Sequence, residues 1–271
     1  MTPESFCKPL NTFQVNTSMN NCIFVCFTCQ QDQAMLQNQF NALQKCLPGA
    51  KVYYVYEETE KEFAQAPVGS YMLTADFPHN GNLIGLQCHY GMLSVMKQLS
   101  EMNDNANVVK IDSDCYFIND GWLDGLGEKY DMVGVAPGQG YFCKGTCYGI
   151  SLNSIKKVME YCRNDYVDLT GRIEDGTITM ISAIVSEPNK VKIHNPMNAD
   201  KTKVISCIFQ SGYYNQPEQL NIVEGFIDCG DSKYTSAYKE SNLPISLAKA
   251  RAMEFLFNFF ENTSEENRTS V

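Results

Sequence analysis

Three consecutive segments near the start of the chain constrain its fold most strongly. Residues 22–28 (CIFVCFT) form a continuous run of β-branched, aromatic and other apolar side chains, typical of a strand buried on both faces. From Gln31 to Leu47 the apolar residues recur at helical spacing, and Pro48-Gly49 ends that helix. Lys51 to Tyr56 (KVYYVY) is the next predicted strand. A strand, a helix and a strand in about 35 residues predict a βαβ unit, and hence a parallel sheet with a right-handed crossover.

The same alternation continues up to an acidic motif. We predict a loop over residues 59–82, a helix over 83–99 and a third strand over 108–111, which runs into Asp112 and Asp114. On an extended strand, side chains two residues apart share a face, so both carboxylates would point the same way. At the C-terminal end of a strand they can hold a divalent metal that carries a diphosphate. Because this spacing also arises by chance, only its context gives it meaning.

The second half of the chain is less regular. Glycines among aromatic residues at 138–149 predict a strand with close backbone approach, either to another strand or to a ligand. The remaining predicted elements are a strand at 131–136, a helix capped by Ser151 or Asn153, a short helix after Gly176, a strand at 191–194, two strands within 204–230 and a helix from Pro244.

Charge and cysteine usage restrict the class of partner. The net charge of −10 argues against nucleic acid or an anionic membrane, since both require clustered lysine and arginine. No signal peptide and no apolar stretch of transmembrane length is visible, so we expect a cytoplasmic protein. The 12 cysteines then fit a reducing compartment. Cys26 and Cys29 are spaced like metal ligands, but Cys26 lies inside a predicted strand, and we favour a buried, structural role.

Four motifs, taken in order, resemble the GT-A glycosyltransferases, the nucleotide-diphosphosugar transferase fold. They are the strand ending at Thr28, the acidic pair Glu57-Glu58 after the second strand, the Asp112-Ser113-Asp114 motif, and Ile173-Glu174-Asp175 at a predicted helix start. The resemblance covers roughly residues 22–200. It implies an α/β fold, a GT-A (Rossmann-like) three-layer sandwich with a mostly parallel central sheet and a small acceptor-side subregion.

The resemblance also implies one domain with a division of labour along the chain. Residues 20–136 would form the nucleotide-sugar-binding half, residues 137–235 the acceptor half, and residues 236–271 a C-terminal helix and tail. The expected activity is metal-dependent transfer of a hexosyl or pentosyl unit from a nucleotide-diphosphate sugar to an acceptor hydroxyl, with inversion of configuration. A UDP-sugar is the favoured donor and Mn²⁺ or Mg²⁺ the expected cofactor. A homo-oligomer is left open.

Site residues follow from the same resemblance, position by position. Asp175 would be the general base that takes the acceptor's proton, with Glu174 as the alternative; both also suit a helix start, where acidic side chains are favoured. The metal ligands would be Asp112, Asp114 and His194. The donor-binding residues would be Thr28, Glu57, Glu58, Asn80, Asp112 and Ser113.

Some alternatives stay open at this stage. A nucleotidyltransferase that makes an activated sugar has a similar fold and also uses a metal, but it would be expected to carry a glycine-rich, basic loop after the first strand. A GT-A-like domain that only binds sugars or partners would not need the acidic motifs. Lys110 has two interpretations, contact with a phosphate and neutralisation of the nearby carboxylates.

Overall fold

The structure is a computed structural model. It describes residues 21–78, 86–117, 120–135, 143, 147–164, 174–194 and 222–223. The strands are β1 (Cys22–Thr28), β2 (Lys51–Glu57), β3 (Tyr71–Ala75), β4 (Asn107–Ile111), β5 (Tyr116–Phe117), β6 (Met132–Val135), β7 (Cys147–Ile150), β8 (Val191–His194) and β9 (Ile222–Val223). The helices are α1 (Gln33–Cys46), α2 (Leu86–Met102), α3 (Leu152–Asn164) and α4 (Glu174–Val185).

Seven of these strands form one sheet, in the order β3-β2-β1-β4-β7-β6-β8. The pairs β1–β2, β1–β4, β2–β3 and β6–β8 are parallel, while β7 is antiparallel to both of its neighbours. Among the described strands of this sheet, β7 is therefore the one that runs against the others. The predicted mostly parallel sheet is confirmed.

Helices cover both faces of the sheet, because both faces are apolar. On one face, Leu36, Phe40 and Leu43 of α1 pack against side chains such as Phe24 and Val109. The opposite face packs against apolar side chains of α2, α3 and α4. Cys22–Thr28 is buried along almost its whole length, as expected of a strand between two helical layers. The predicted three-layer α/β sandwich is confirmed.

One strand lies where the sequence predicted a loop. Tyr71–Ala75 pairs in parallel with β2 at the edge of the sheet, so the strand before Asp112 is the fourth and not the third. Tyr71 and Met72 are about half exposed. A short edge strand with one solvated side lacks the continuous apolar run that reveals a central strand, and the prediction of a loop over residues 59–82 was wrong for this reason.

The glycine-rich region ends in a strand with a close approach of side chains. A Cβ built on Gly149 of β7 would lie 2.5 Å from Leu126 Cδ2, and one on Gly134 of β6 would lie 2.5 Å from Cys143 Sγ. Neighbouring core side chains therefore occupy the space that a larger residue would need at either position. At Gly149 the nearest neighbour is a core side chain and neither another strand's backbone nor a ligand; the rest of the predicted glycine-rich strand lies largely outside the described residues.

Several predictions lie outside the described residues. They include the helix from Pro244 and most of the region from residue 195 onward, of which only Ile222–Val223 is described. The division into residues 20–136, 137–235 and 236–271 stays a prediction. Within the described residues, no helix combines the length and apolar character that crossing a bilayer requires.

Candidate functional site

The order of the strands creates a switch point between β1 and β4. The chain proceeds from β1 to β2 and β3 on one side, and then returns to place β4 on the other side of β1. Helix α1 leaves β1 on one face of the sheet, and α2 leads into β4 on the opposite face. In open α/β sheets, ligands bind outside the carboxyl ends of strands that diverge in this way. Thr28 and Ile111 mark that edge here.

The acidic motif lies in a turn directly after β4. The strand ends at Ile111, and the Cys115 N–H donates to the Asp112 carbonyl oxygen over 3.1 Å. The Gln39 side-chain amide of α1 donates to the same oxygen. The expectation that Asp112 and Asp114 share one face of a strand was wrong, because β4 ends at Ile111 and residues 113–114 form a turn. The Asp112 side chain is one-third exposed, whereas Asp114 is buried.

Ser113, between the two aspartates, joins this turn to the segment after β1. Its hydroxyl donates to Asp32 Oδ2 over 2.5 Å. Asp32 lies in the 3₁₀ turn Gln30–Asp32, and so brings a third carboxylate to the end of β1. Asp32 was not among the site residues predicted from the sequence. The sequence signal that could have indicated Asp32 is the polar segment immediately after the first strand, at the edge of the sheet where ligands bind.

The last residue of β1 carries a buried polar atom that has no partner in the described part of the chain. Thr28 is 1% exposed, and its hydroxyl makes no hydrogen bond to the residues that the structure describes. A buried hydroxyl without a partner is unfavourable, so such a group calls for an explanation in terms of a bound molecule or water. Thr28 lies at the switch point, where a bound ligand would supply a hydrogen-bond partner for its hydroxyl.

Lys110 connects the turn to α4 through the core. Its ammonium lies 2.5 Å from Asp112 Oδ1 and 3.6 Å from Glu174 Oε2. The Tyr148 hydroxyl donates to Glu174 Oε1, and the ammonium also lies 5.9 Å from the centre of the Tyr148 ring. Lys110 and Glu174 are almost completely buried. Of the two interpretations of Lys110, the contacts agree with neutralisation of carboxylates.

The two acidic residues after β2 are in different environments. Glu58 is exposed, and hydrogen bonds from Thr74 and Lys61 lower the pKa of its carboxyl. Glu57 is the last residue of β2, and its charge lies close enough to Cys88 of α2 to raise the pKa of that thiol. Burial raises the pKa of the Cys88 thiol to about 11, with smaller upward effects from Glu174 and Glu57. Glu57 thus lies on the side of the sheet that holds Glu174, and Glu58 faces solvent.

For two of the predicted site residues, Asp175 and His194, the structure describes only the backbone, and a third, Asn80, lies outside the described residues. Asp175 is the second residue of α4, next to Glu174, and His194 is the last residue of β8. Because β8 is three strands from β4 in the sheet, the backbone of His194 is about 14 Å from β4 along the same edge. The side chains of Asp175 and His194 lie outside the described residues, and so does Asn80.

The donor set at the turn fits a hard divalent cation. Mg²⁺ and Mn²⁺ bind oxygen ligands, and Mg²⁺ is held in proteins by one or two carboxylates plus the phosphates of a substrate. Asp112 and Asp114 supply such carboxylates. In the part of the chain that the structure describes, no group of three histidine, cysteine or acidic side chains is arranged to hold a metal without a substrate.

The cysteines beside the turn do not favour a soft metal such as zinc. Burial raises the pKa of the Cys26 thiol well above its usual value, and Asp112 and Asp32 raise it further. The pKa of Cys29 rises to about 11, chiefly through burial and the charge of Asp32. The raised pKa of both thiols disfavours the thiolate form, which is the form that zinc binds. All the described cysteines are free of disulfide bonds.

Comparison with solved structures finds glycosyltransferases of similar overall arrangement. The glycosyltransferase GlyE of Streptococcus pneumoniae TIGR4 matches at 12% identity and a TM-score of 0.45, over 88% of this chain and 64% of GlyE. Its apo form matches at 13% identity with the same TM-score and coverage. A glycosyltransferase involved in the glycosylation of the major capsid of PBCV-1 matches at 15% identity and a TM-score of 0.48, over 75% of this chain and 93% of that one.

This chain therefore spans just under two thirds of the length of GlyE. No protein-family profile and no curated protein matches the sequence. Likeness this remote assigns neither an activity nor a site residue, so the strand order and strand directions remain the basis for the fold class.

Proposed function

We propose that this protein is a metal-dependent glycosyltransferase that moves a sugar from a nucleotide-diphosphate sugar to an acceptor hydroxyl. The observation that carries the proposal is the switch point between β1 and β4. On one side of it, the turn after β4 carries the carboxylates of Asp112 and Asp114. On the other, β1 ends in Thr28, whose buried hydroxyl has no hydrogen-bond partner among the described residues. This combination suits a nucleotide whose diphosphate is bound through a cation. In a chain of net charge −10, a cation also offsets repulsion of an anionic donor.

The donor would bind along this edge, with a UDP-sugar as the favoured form. Thr28 would donate a hydrogen bond to the nucleotide, and Ser113 and Asp112 would contact the ribose or the diphosphate. Of the acidic pair, Glu57 is half-buried at the end of β2 and near Cys88, so it is the stronger candidate for a donor contact than the exposed Glu58. Asn80 precedes α2 and would complete this half of the site.

Asp112 and Asp114 would hold Mn²⁺ or Mg²⁺, with His194 as a further candidate ligand. A cation bound there offsets the negative charge that develops on the departing nucleoside diphosphate. The two aspartates are not equivalent. One oxygen of Asp112 is engaged by Lys110. In this proposal Asp114 is the primary ligand, and Asp112 binds the ribose or reaches the cation through water.

The transfer itself requires a base for the acceptor hydroxyl. Asp175 would accept that proton while the oxygen attacks the anomeric carbon from the face opposite the nucleotide, with inversion of configuration. Glu174 contacts Tyr148 and Lys110 with its two oxygens, so its contacts suit a residue that holds α4 in place. Asp175 therefore stays the first candidate for the base, with Glu174 as the alternative.

The decisive experiment measures donor hydrolysis over a panel of nucleotide sugars, with and without Mn²⁺, because slow hydrolysis reveals the donor before the acceptor is known. We expect cation-dependent hydrolysis of one donor, and loss of about 100-fold or more in Asp114→Asn, which keeps the shape of the side chain and removes its charge. Glu128→Gln, an exposed change in a surface turn, is the matched control and should leave the rate unchanged.

Other outcomes would point elsewhere. Release of pyrophosphate from a nucleoside triphosphate and a sugar 1-phosphate would identify a nucleotidyltransferase. Binding of UDP without any turnover would indicate a binding domain. Full activity in a folded Asp114→Asn protein would contradict the assignment of the metal site.

A further inference from the structure

Lys110 places a charged group within an apolar layer. In β4, Val108 faces the helices α2, α3 and α4, whereas Val109 and Ile111 face α1. Alternation along the strand puts Lys110 on the side of Val108. Its register partners, Val25 of β1 and Tyr148 of β7, belong to that same apolar face. Burial of an ammonium in such surroundings is strongly unfavourable unless it is paired.

The contacts of Lys110 reach in two directions. Toward the edge of the sheet, it contacts the carboxylate of Asp112, the first residue after β4. Toward the helical layer, it lies 3.6 Å from Glu174 in α4, whose other oxygen accepts from the Tyr148 hydroxyl. One ammonium thus joins three segments that are distant in sequence: the acidic turn, β7 and the first residue of α4.

We infer that Lys110 is a positioning residue that fixes the Asp112–Asp114 turn and the start of α4 relative to each other. This inference rests on the proposed function, in which the turn binds the donor's cation and Asp175, beside Glu174, takes the acceptor's proton. A buried pair of this kind contributes little net stability compared with apolar side chains of similar size. Its consequence is geometric: the two acidic motifs cannot shift independently while Lys110 contacts both.

The alternative role, direct contact with a donor phosphate, disagrees with the geometry. The Lys110 side chain is 1% exposed, and two carboxylates lie close to its ammonium. A phosphate would have to displace one of these carboxylates to reach it. Lys110 therefore acts on the donor through Asp112. It orients the Asp112 carboxylate, as residues next to a metal-binding side chain commonly do.

The test uses two charge-removing variants and one matched control. Lys110→Met removes the ammonium and keeps most of the apolar stem. Lys110→Met/Glu174→Gln also removes the buried carboxylate charge, so that a folded protein without the bridge is obtained even if the single variant unfolds. Lys97→Met is the control, because Lys97 makes a comparable contact with Glu101 at the surface of α2.

Two measurements are made on each protein. Amide hydrogen exchange is followed in peptides that cover 112–117 and 174–185, and binding of UDP is titrated with and without Mn²⁺. We expect both segments to exchange faster in the two Lys110 variants, and Mn²⁺-dependent UDP affinity to fall about 10- to 100-fold. The control should change neither quantity.

The exchange measurement does not depend on the proposed function, which separates the two possible failures. Unchanged exchange in either segment of the folded double variant overturns the coupling, whatever the protein binds. Faster exchange with unchanged Mn²⁺-dependent UDP affinity overturns the positioning role. If the wild-type protein binds no UDP with Mn²⁺, the proposed function fails, while faster exchange in both segments would still support the coupling by Lys110.

Discussion

Two charge clusters in this protein are built alike and lie in opposite environments. In the buried cluster, one ammonium, that of Lys110, is shared between the carboxylates of Asp112 and Glu174. In the exposed cluster, one carboxylate, that of Glu101, is shared between Lys97 and Lys156 at 3.0 and 3.1 Å. The side chains of Lys110 and Glu174 are 1% and 2% exposed, whereas those of the exposed cluster are 35–48% exposed.

The difference in solvent access determines what each cluster contributes. Water and salt compete for the exposed charges, and such pairs are worth little. Lys110 and Glu174 have lost their hydration, so removing one of them leaves the other in a medium that solvates it poorly. The distances between charged atoms are similar in the two clusters. The Lys110 cluster is nevertheless required for the structure, whereas the Glu101 cluster is a minor surface interaction.

The largest expected effect is that of Lys110→Met on stability. Loss of the ammonium removes the positive charge 3.6 Å from the buried carboxylate of Glu174, and the free energy of unfolding should fall by about 3–5 kcal/mol. Urea denaturation monitored by circular dichroism measures the change. Wild-type stability in this variant would mean that the two clusters are equivalent.

A smaller loss is expected for Tyr148→Phe. The ring stays in the core, but one buried hydrogen bond to Glu174 is lost, at a cost of about 2 kcal/mol. The same urea titration applies, and Tyr130→Phe, at a half-buried position elsewhere, is the control. Equal effects of the two changes would contradict a special role for the bond to Glu174.

The exposed cluster should respond to pH. Hydrogen bonds from Lys97 and Lys156 lower the pKa of Glu101 below its usual 4.5. A lowered folded-state pKa contributes stability that is present above the usual pKa and is lost as the pH falls through the lowered value. The difference in stability between wild type and Glu101→Gln should therefore be small at neutral pH and vanish in acid. A difference that persists in acid, or in high salt, would show that it has another origin.

The smallest effect is expected for Lys97→Met. Lys156 still contacts Glu101 in this variant, and both groups remain hydrated. The unfolding midpoint in urea should not change measurably. A loss approaching that of Lys110→Met would remove the contrast between the clusters.

Local elements were predictable where the sequence has a strong period. The apolar run of Cys22–Thr28 and the helical spacing in Gln33–Cys46 appear in the structure within a few residues of their predicted bounds. The edge strand Tyr71–Ala75 was missed, because its pairing with β2 and not its own composition makes it a strand. The acidic motif was located correctly, but its conformation was not, since β4 ends before it.

The candidate site divides in the same way. The order of strands and helices in the sequence was enough to predict that Thr28 and Asp112 lie at one edge, because parallel strands in a βαβ arrangement end on the same side of the sheet. Asp32 was not selected, because its relation to Ser113 depends on how the segment after β1 folds back over the turn.

The sequence by itself determined the layers of this protein: apolar periods define which segments are strands and helices and which faces are buried, and these are short-range properties. Only the tertiary structure decided that β7 runs antiparallel beside β4 and that α4 starts next to Lys110. Those facts depend on contacts between residues far apart in the chain, for which no local pattern exists. From the sequence, Lys110 is a charged residue in an apolar strand. In the structure, it contacts both acidic motifs, through Asp112 and Glu174.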